Sequence, residues 1–229
     1  MSGRLAVHQA AGIACGMTGK PDRPLMLIGA VWLAGLLLSG WAPHDRATWW
    51  MEVAPVLIAW PILFAIRRRF AFTPLALMLI GFHGLVLMLG GAYSYARVPI
   101  GFTVQDWLGL ARNPYDRFGH LMQGFVPAIV IREIFVRRAL LRVRSMLAPI
   151  VLLICLSISA LYELIEFAAA VALGQGADAF LGTQGDPWDT QWDMLMCLTG
   201  AALSLLALSR WHDGMCAHSS FIGRSASAD

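Results

Sequence analysis

The run PLALMLIGFHGLVLMLGG, residues Pro74–Gly91, decides the fold class. It lies in a charge-free stretch between Arg69 and Arg97, and His83 is its only ionisable residue. As a helix it would rise about 27 Å at 1.5 Å per residue, close to the hydrocarbon thickness of a bilayer. Such a run reads as a membrane-spanning helix.

Similar runs flank it on both sides. Toward the N-terminus, Leu25–Ala42 is apolar with no charge between Arg23 and Asp45, and Trp49–Ile66 carries one acid at its edge, Glu52, before Arg67-Arg68-Arg69. Toward the C-terminus come Phe118–Val136, Ala148–Leu173 and Trp192–Ser209. Phe118–Val136 is the most polar, interrupted by His120, Gln123, Arg132 and Glu133. An amphipathic helix lying on the membrane surface is the competing reading there. Counting it as a crossing keeps the charge distribution consistent. The prediction is an all-α polytopic membrane bundle of six transmembrane helices.

Composition agrees. Of 229 residues, 58% are hydrophobic and 14% charged, with a mean hydropathy of +0.65. A soluble domain is nearer 45–50% apolar and about 25% charged, so this chain has too few charges to cover a water-facing surface. A net charge of +3 with no basic stripe argues against nucleic acid as a partner and leaves the lipid bilayer as the expected surroundings. Cys15, Cys155, Cys197 and Cys216 form no CxxC pair, and those within apolar runs read as small hydrophobes.

Basic residues orient the chain. With both termini inside, twelve of the 17 Lys and Arg face the cytoplasm, from Arg4 to Arg224. Four (Arg46, Arg97, Arg112 and Arg117) lie outside, and Arg132 falls within a span. The expected location is a bacterial inner membrane with both termini cytoplasmic. Residues 1–23 read as a loose cytoplasmic extension, 24–210 as one membrane domain and 211–229 as a cytoplasmic tail. Lys20 and Arg23 before Leu25–Leu38 resemble a signal peptide. The apolar run is longer than a signal core and no small-x-small site follows, so an uncleaved first helix is expected. Tryptophans near the outer boundaries, among them Trp41, Trp49 and Trp188, read as interface anchors.

The acids are placed asymmetrically. Asp116 and His120 are four apart, Glu163 and Glu166 three apart, Asp189 and Asp193 four apart. Each pair therefore shares a helix face. Topology puts all three pairs at the outer ends of the last three spans, so they should meet. Carboxylates crowded at membrane depth repel one another and must share protons, pair with arginine or bind a cation. Asp116, His120, Glu163, Glu166, Asp189 and Asp193 are the candidate ligands of a divalent cation such as Mg, Mn or Zn. His120 and Glu163 are the candidate catalytic residues. The bland alternative is a hydrogen-bonded network that only locks the helices. Asp189 taken alone reads as an N-cap. Glu133 reads as a local ion pair with its arginine neighbours, and His83 as a satisfied packing residue.

The runs Tyr115–His120 with Gln123-Gly124-Phe125, then Tyr162–Glu166, then Gly182–Asp186 with Trp188–Gln191, Asp193 and Met194 resemble the YjdF-like bacterial inner-membrane proteins. The resemblance covers roughly residues 25–210 and implies a multi-span inner-membrane protein, with no particular reaction. A fainter similarity to VanZ-like proteins rests on Asp116 and His120, Glu163 or Glu166, and Asp193 with Gly200; the usual Asn is absent, and Cys197 occupies its neighbourhood. Three functions remain in view. They are a cation-assisted enzyme acting on a membrane-associated small molecule or lipid, a small proton- or cation-coupled carrier, and a non-catalytic structural or accessory protein.

Overall fold

The computed structural model describes residues 22–173 and 184–225, with side chains described for 23–173 and 184–216. Among these residues there are seven α-helices and no strand. They are α1 Asp22–Trp41, α2 Arg46–Ile66, α3 Pro74–Tyr93, α4 Pro99–Leu108, α5 Tyr115–Arg137, α6 Leu147–Leu173 and α7 Asp189–Ser225. All except the ten-residue α4 are long and apolar enough to cross a membrane. The expected six-span bundle is the observed architecture. Residues 1–21, 174–183 and 226–229 lie outside the described residues. They include most of the expected N-terminal extension and part of the loop before α7. The α7 helix continues past Ser209 into the segment expected as a tail.

Each boundary has a local cause. Asp45 caps α2, its Oδ1 accepting from the Thr48 amide at 2.7 Å. Thr73 caps α3, and Pro74 occupies a first-turn position where a missing N–H costs nothing. The helix α4 was not anticipated. It runs from Pro99 to Leu108, is ended by Gly109, whose φ of 63° is left-handed, and is too short to read as a span.

At one end of the bundle α2, α5 and α7 begin and α1, α3 and α6 finish; this is called the acidic end below, and the opposite one the basic end. The central helix is α5, which packs on α3, α6 and α7, while α3 also carries α1 and α2. Half of the most apolar stretch of α5 is buried inside the bundle, which fits a central helix and not one lying on a surface. Leucines such as Leu38, Leu153, Leu164 and Leu206 point outward instead, as lipid-facing side chains do.

The α5–α7 contact is backbone on backbone. A Cβ at Gly124 would collide with the Cys197 carbonyl oxygen, and one at Gly200 with that of Leu121. Small residues allow such close approach where water cannot drive helices together. Cys155 and Cys197 complete the seam, their thiols donating to the carbonyls of Gly124 at 3.8 Å and Cys155 at 3.4 Å.

At the basic end the bundle is fastened by Glu133, which is fully buried. Its carboxylate accepts from the Thr73 amide (2.8 Å), Thr73 Oγ1 (2.7 Å), Arg137 (2.7 Å) and His212 Nε2 (3.1 Å). Arg132 donates to His212 Nδ1 at 2.8 Å, so that nitrogen is the acceptor and Nε2 carries the proton. Arg132 also pairs with Asp213 at 2.6 Å. The local ion pair expected for Glu133 is therefore one strand of a network joining α3, α5 and α7.

Candidate functional site

The site is assembled at the acidic end, where three loops are tied down before their helices start. Asn113 is fully buried: its Oδ1 accepts from the Tyr115 amide at 3.0 Å and its Nδ2 donates to the Val98 carbonyl at 3.0 Å. Gln184 pairs with the Asn113 backbone through both of its amide atoms, at 3.0 and 3.1 Å. The segments leading into α5 and α7 are thereby held in fixed register. The glycine seam then sets α5 against α7 about two to three turns further in.

That register brings the sequence-predicted residues together unequally. Asp116, His120, Glu163 and Asp193 converge. His120 Nε2 stands 3.8 Å from Asp116 Oδ1, 3.8 Å from Glu163 Oε1 and 3.9 Å from Asp193 Oδ2. These separations are too long for hydrogen bonds and shorter than two metal–ligand bonds of about 2.1 Å laid end to end. Donor atoms of Asp116, His120 and Asp193 lie within 4.8 Å of one another, and all three residues are buried. Glu163 Oε1 and Asp193 Oδ1 are buried without a hydrogen-bond partner among the described residues. Buried acceptors normally have partners, so two neighbouring carboxyl groups that each keep an orphaned oxygen call for a cation or protons there. The ring of His120 is already oriented: Nδ1 lies 3.0 Å from Gln123 Oε1. With an amide oxygen accepting, Nδ1 carries the hydrogen and Nε2 presents its lone pair to the carboxylates. That is the arrangement of a metal-ligating histidine with its outer partner.

Asp189 and Glu166 sit differently. Asp189 is engaged by the Arg112 guanidinium, which also reaches Asp116 at 3.4 Å and Asp186 at 3.6 Å. Arg117 pairs with Asp186 at 2.7 Å and lies over the Trp192 ring. Glu166 lies one turn from Glu163 and faces a cavity of about 300 Å³ enclosed by α1, α2, α3, α5 and α6.

That cavity contains the residue that sequence reasoning missed. Glu52 is buried in its wall and accepts from the Tyr162 hydroxyl at 3.0 Å. It was read as an edge acid because the span was started at Trp49. The Asp45-x-x-Thr48 cap starts the helix at Arg46 and puts Glu52 about 9 Å along it. That capping pattern was the available signal. His83 also lines the cavity, and its Nε2 is buried without a partner among the described residues, so it is not the satisfied packing residue expected. Tyr95 enters the wall from the α3–α4 loop, where Ser94 and Tyr95 both adopt left-handed backbone (φ 52° and 48°). Non-glycine residues rarely hold that conformation, at a cost of about 1–3 kcal/mol each, and such strain gathers at functional sites. Burial pushes the Tyr95 hydroxyl well above its ordinary pKa, so it stays a hydrogen-bond donor.

Residues 24–214 match a sequence family described as "Predicted membrane protein (DUF2238)". The chain belongs to that family. It is 55% identical over 177 residues to the inner membrane protein YjdF of Escherichia coli (strain K12), an alignment covering 77% of this chain and 85% of that relative. No solved structure matches. Family membership and the six apolar helices agree on a multi-pass inner-membrane protein; the site has to be read from its own geometry.

Proposed function

We propose that this family member binds a divalent cation at the acidic end of α5–α7 and uses it on a membrane-associated substrate. One observation carries the reading: His120 Nε2 faces three carboxylate oxygens at 3.8–3.9 Å, two of whose carboxyl groups have an orphaned buried oxygen, at the mouth of a largely apolar cavity. Asp116, His120, Glu163 and Asp193 hold the ion. Asp189 and Arg112 supply the surrounding charge balance, and Gln123 fixes the histidine tautomer. The basic residues gathered at the other end support a non-cytoplasmic location for this site. An ion held by one imidazole and three carboxylates suits Mg, Mn or Zn, and supplies Lewis acidity toward an ester oxygen. Glu52, across the cavity from His120, is placed to accept or return a proton.

The test is elemental mass spectrometry of the full chain purified in detergent without chelator and supplied with Mg, Mn and Zn. A Glu163→Ala/Asp193→Ala double variant is measured beside it. Near-stoichiometric metal that the double variant loses supports the site. Metal absent from both proteins would refute it.

A further inference from the structure

We propose that the cavity takes the single apolar chain of a membrane amphiphile, admitted sideways from the bilayer between α2 and α6, with an uncharged hydroxyl- or ester-bearing headgroup at the acidic end. This rests on the cation-site reading for the role of the headgroup but not for the route of the chain.

The route follows from packing. Among the described residues α2 packs on α1 and α3, and α6 on α5 and α7, but α2 and α6 share no broad interface. The wall between them is broken. Pro55 on α2 and Ile158 on α6 both line the cavity and are both exposed, so the cavity reaches the surface of the bundle at that gap. Pro55 lies about 13 Å from the start of α2 and Ile158 about 16 Å from the start of α6, at 1.5 Å per residue. Both distances fall near the middle of a hydrocarbon layer about 30 Å thick. A window at that depth opens onto lipid chains, not onto water.

The occupant follows from chemistry. Along the window and below it the wall is apolar, with Val56, Ala59, Val126 and Val130, a surface for an alkyl chain. At the acidic end it turns polar through Glu52, Asp116, His120 and Glu166. Those polar groups are mostly carboxylates, and the nearby guanidiniums of Arg112 and Arg117 are engaged by Asp186 and Asp189. The three carboxylates facing His120 outnumber the charge of a divalent ion, and Glu52 and Glu166 stand beside them, so a phosphate or carboxylate headgroup would meet like charge, whereas hydroxyls donate to carboxylates. The Tyr162–Glu52 hydrogen bond crosses the gap at the headgroup end, so the chain passes beneath it.

The experiment uses the purified full chain in lipid nanodiscs and a monoacylglycerol carrying an aliphatic diazirine in its chain, with labelled peptides mapped by mass spectrometry and bound metal measured in parallel. Labelling is expected on the α5 peptide holding Val126 and Val130. An unlabelled monoacylglycerol should compete it away, and an alkyl phosphate of equal chain length should not. Ala59→Trp, which fills the cavity, should lower that labelling about ten-fold, equivalent to roughly 1.4 kcal/mol of binding, and Ile158→Trp at the rim should do the same, both with metal content unchanged. Labelling confined to lipid-facing positions and equal in all three proteins would overturn the proposal, as would competition by alkyl phosphate as strong as that by the neutral compound. Metal bound without cavity labelling defeats this inference alone. Cavity labelling without metal defeats only the cation site.

Discussion

Tyr162 Oη donates to Glu52 Oε2 at 3.0 Å and so joins α6 to α2, two helices that otherwise pack on different neighbours. A carboxylate buried among apolar groups depends on such donors, because little water reaches it. Tyr162→Phe leaves a buried carboxyl oxygen without its donor and is expected to cost about 1–3 kcal/mol. Glu52→Gln keeps an accepting oxygen for the tyrosine hydroxyl, so it should cost less than half as much. Denaturant unfolding in one detergent compares the two, and equal losses would show that the bond carries no stability.

The glycine seam makes a sharper contrast. At Gly124 and Gly200 a methyl group would meet the backbone of the opposite helix, which cannot rotate aside. Overpacking of this kind costs about 1–3 kcal/mol, and Gly124→Ala and Gly200→Ala should fall at the upper end of that range or lower folded yield. Gly214, also on α7, has nothing within 4 Å of an added Cβ. Gly214→Ala is expected to gain about 0.5–1 kcal/mol from helix propensity alone. Thermal unfolding of the three variants side by side distinguishes packing from propensity.

The spans were legible because bilayer thickness and helix rise leave one solution for runs such as Pro74–Gly91 and Ala148–Leu173. Pairs three or four apart were legible as shared faces, and up-down topology brought Asp116, His120, Glu163 and Asp193 to one level. What sequence spacing does not carry is rotation about each helix axis. Asp189 and Asp193 have the same spacing as Asp116 and His120, yet the α5–α7 seam turns Asp193 to His120 and Asp189 to Arg112. Glu52 and His83 were undervalued for a related reason. Each is a lone polar residue on its own helix, and only the gap between α2 and α6 gives them a common space. The Glu133 network needed Thr73 and His212 from two distant segments, which local arginines hid.

Acidification should weaken the start of α2. The Thr48 amide and hydroxyl donate to Asp45 and hold its carboxyl below the usual carboxylate range. A depressed folded-state pKa contributes stability above the unfolded value, about 3.9, and loses it as pH falls through the lower folded value. Asp45→Asn can still cap the helix but cannot titrate. The stability difference between wild type and Asp45→Asn should thus be constant from pH 7 to about 5 and shift toward the variant below about pH 4. Thermal unfolding of both proteins across that range measures it; parallel curves down to about pH 3 would show that Asp45 is not held as described.

Gln123 offers the most discriminating test of the cation site, because its hydrogen bond is to His120. Its Oε1 accepts from Nδ1 at 3.0 Å and so fixes both the ring and its tautomer. Loss of such an outer partner typically lowers metal affinity about 10–100-fold. Gln123→Leu, close in size, should weaken Mn or Zn binding by that factor, measured by competition with a fluorescent chelator. Gln123→Glu offers a stronger acceptor to the same nitrogen and should retain or raise affinity. A mere packing role predicts the reverse, since leucine suits a buried helix seam better than a second carboxylate would. Equal affinity in wild type and Gln123→Leu would mean that His120 Nε2 is not a ligand.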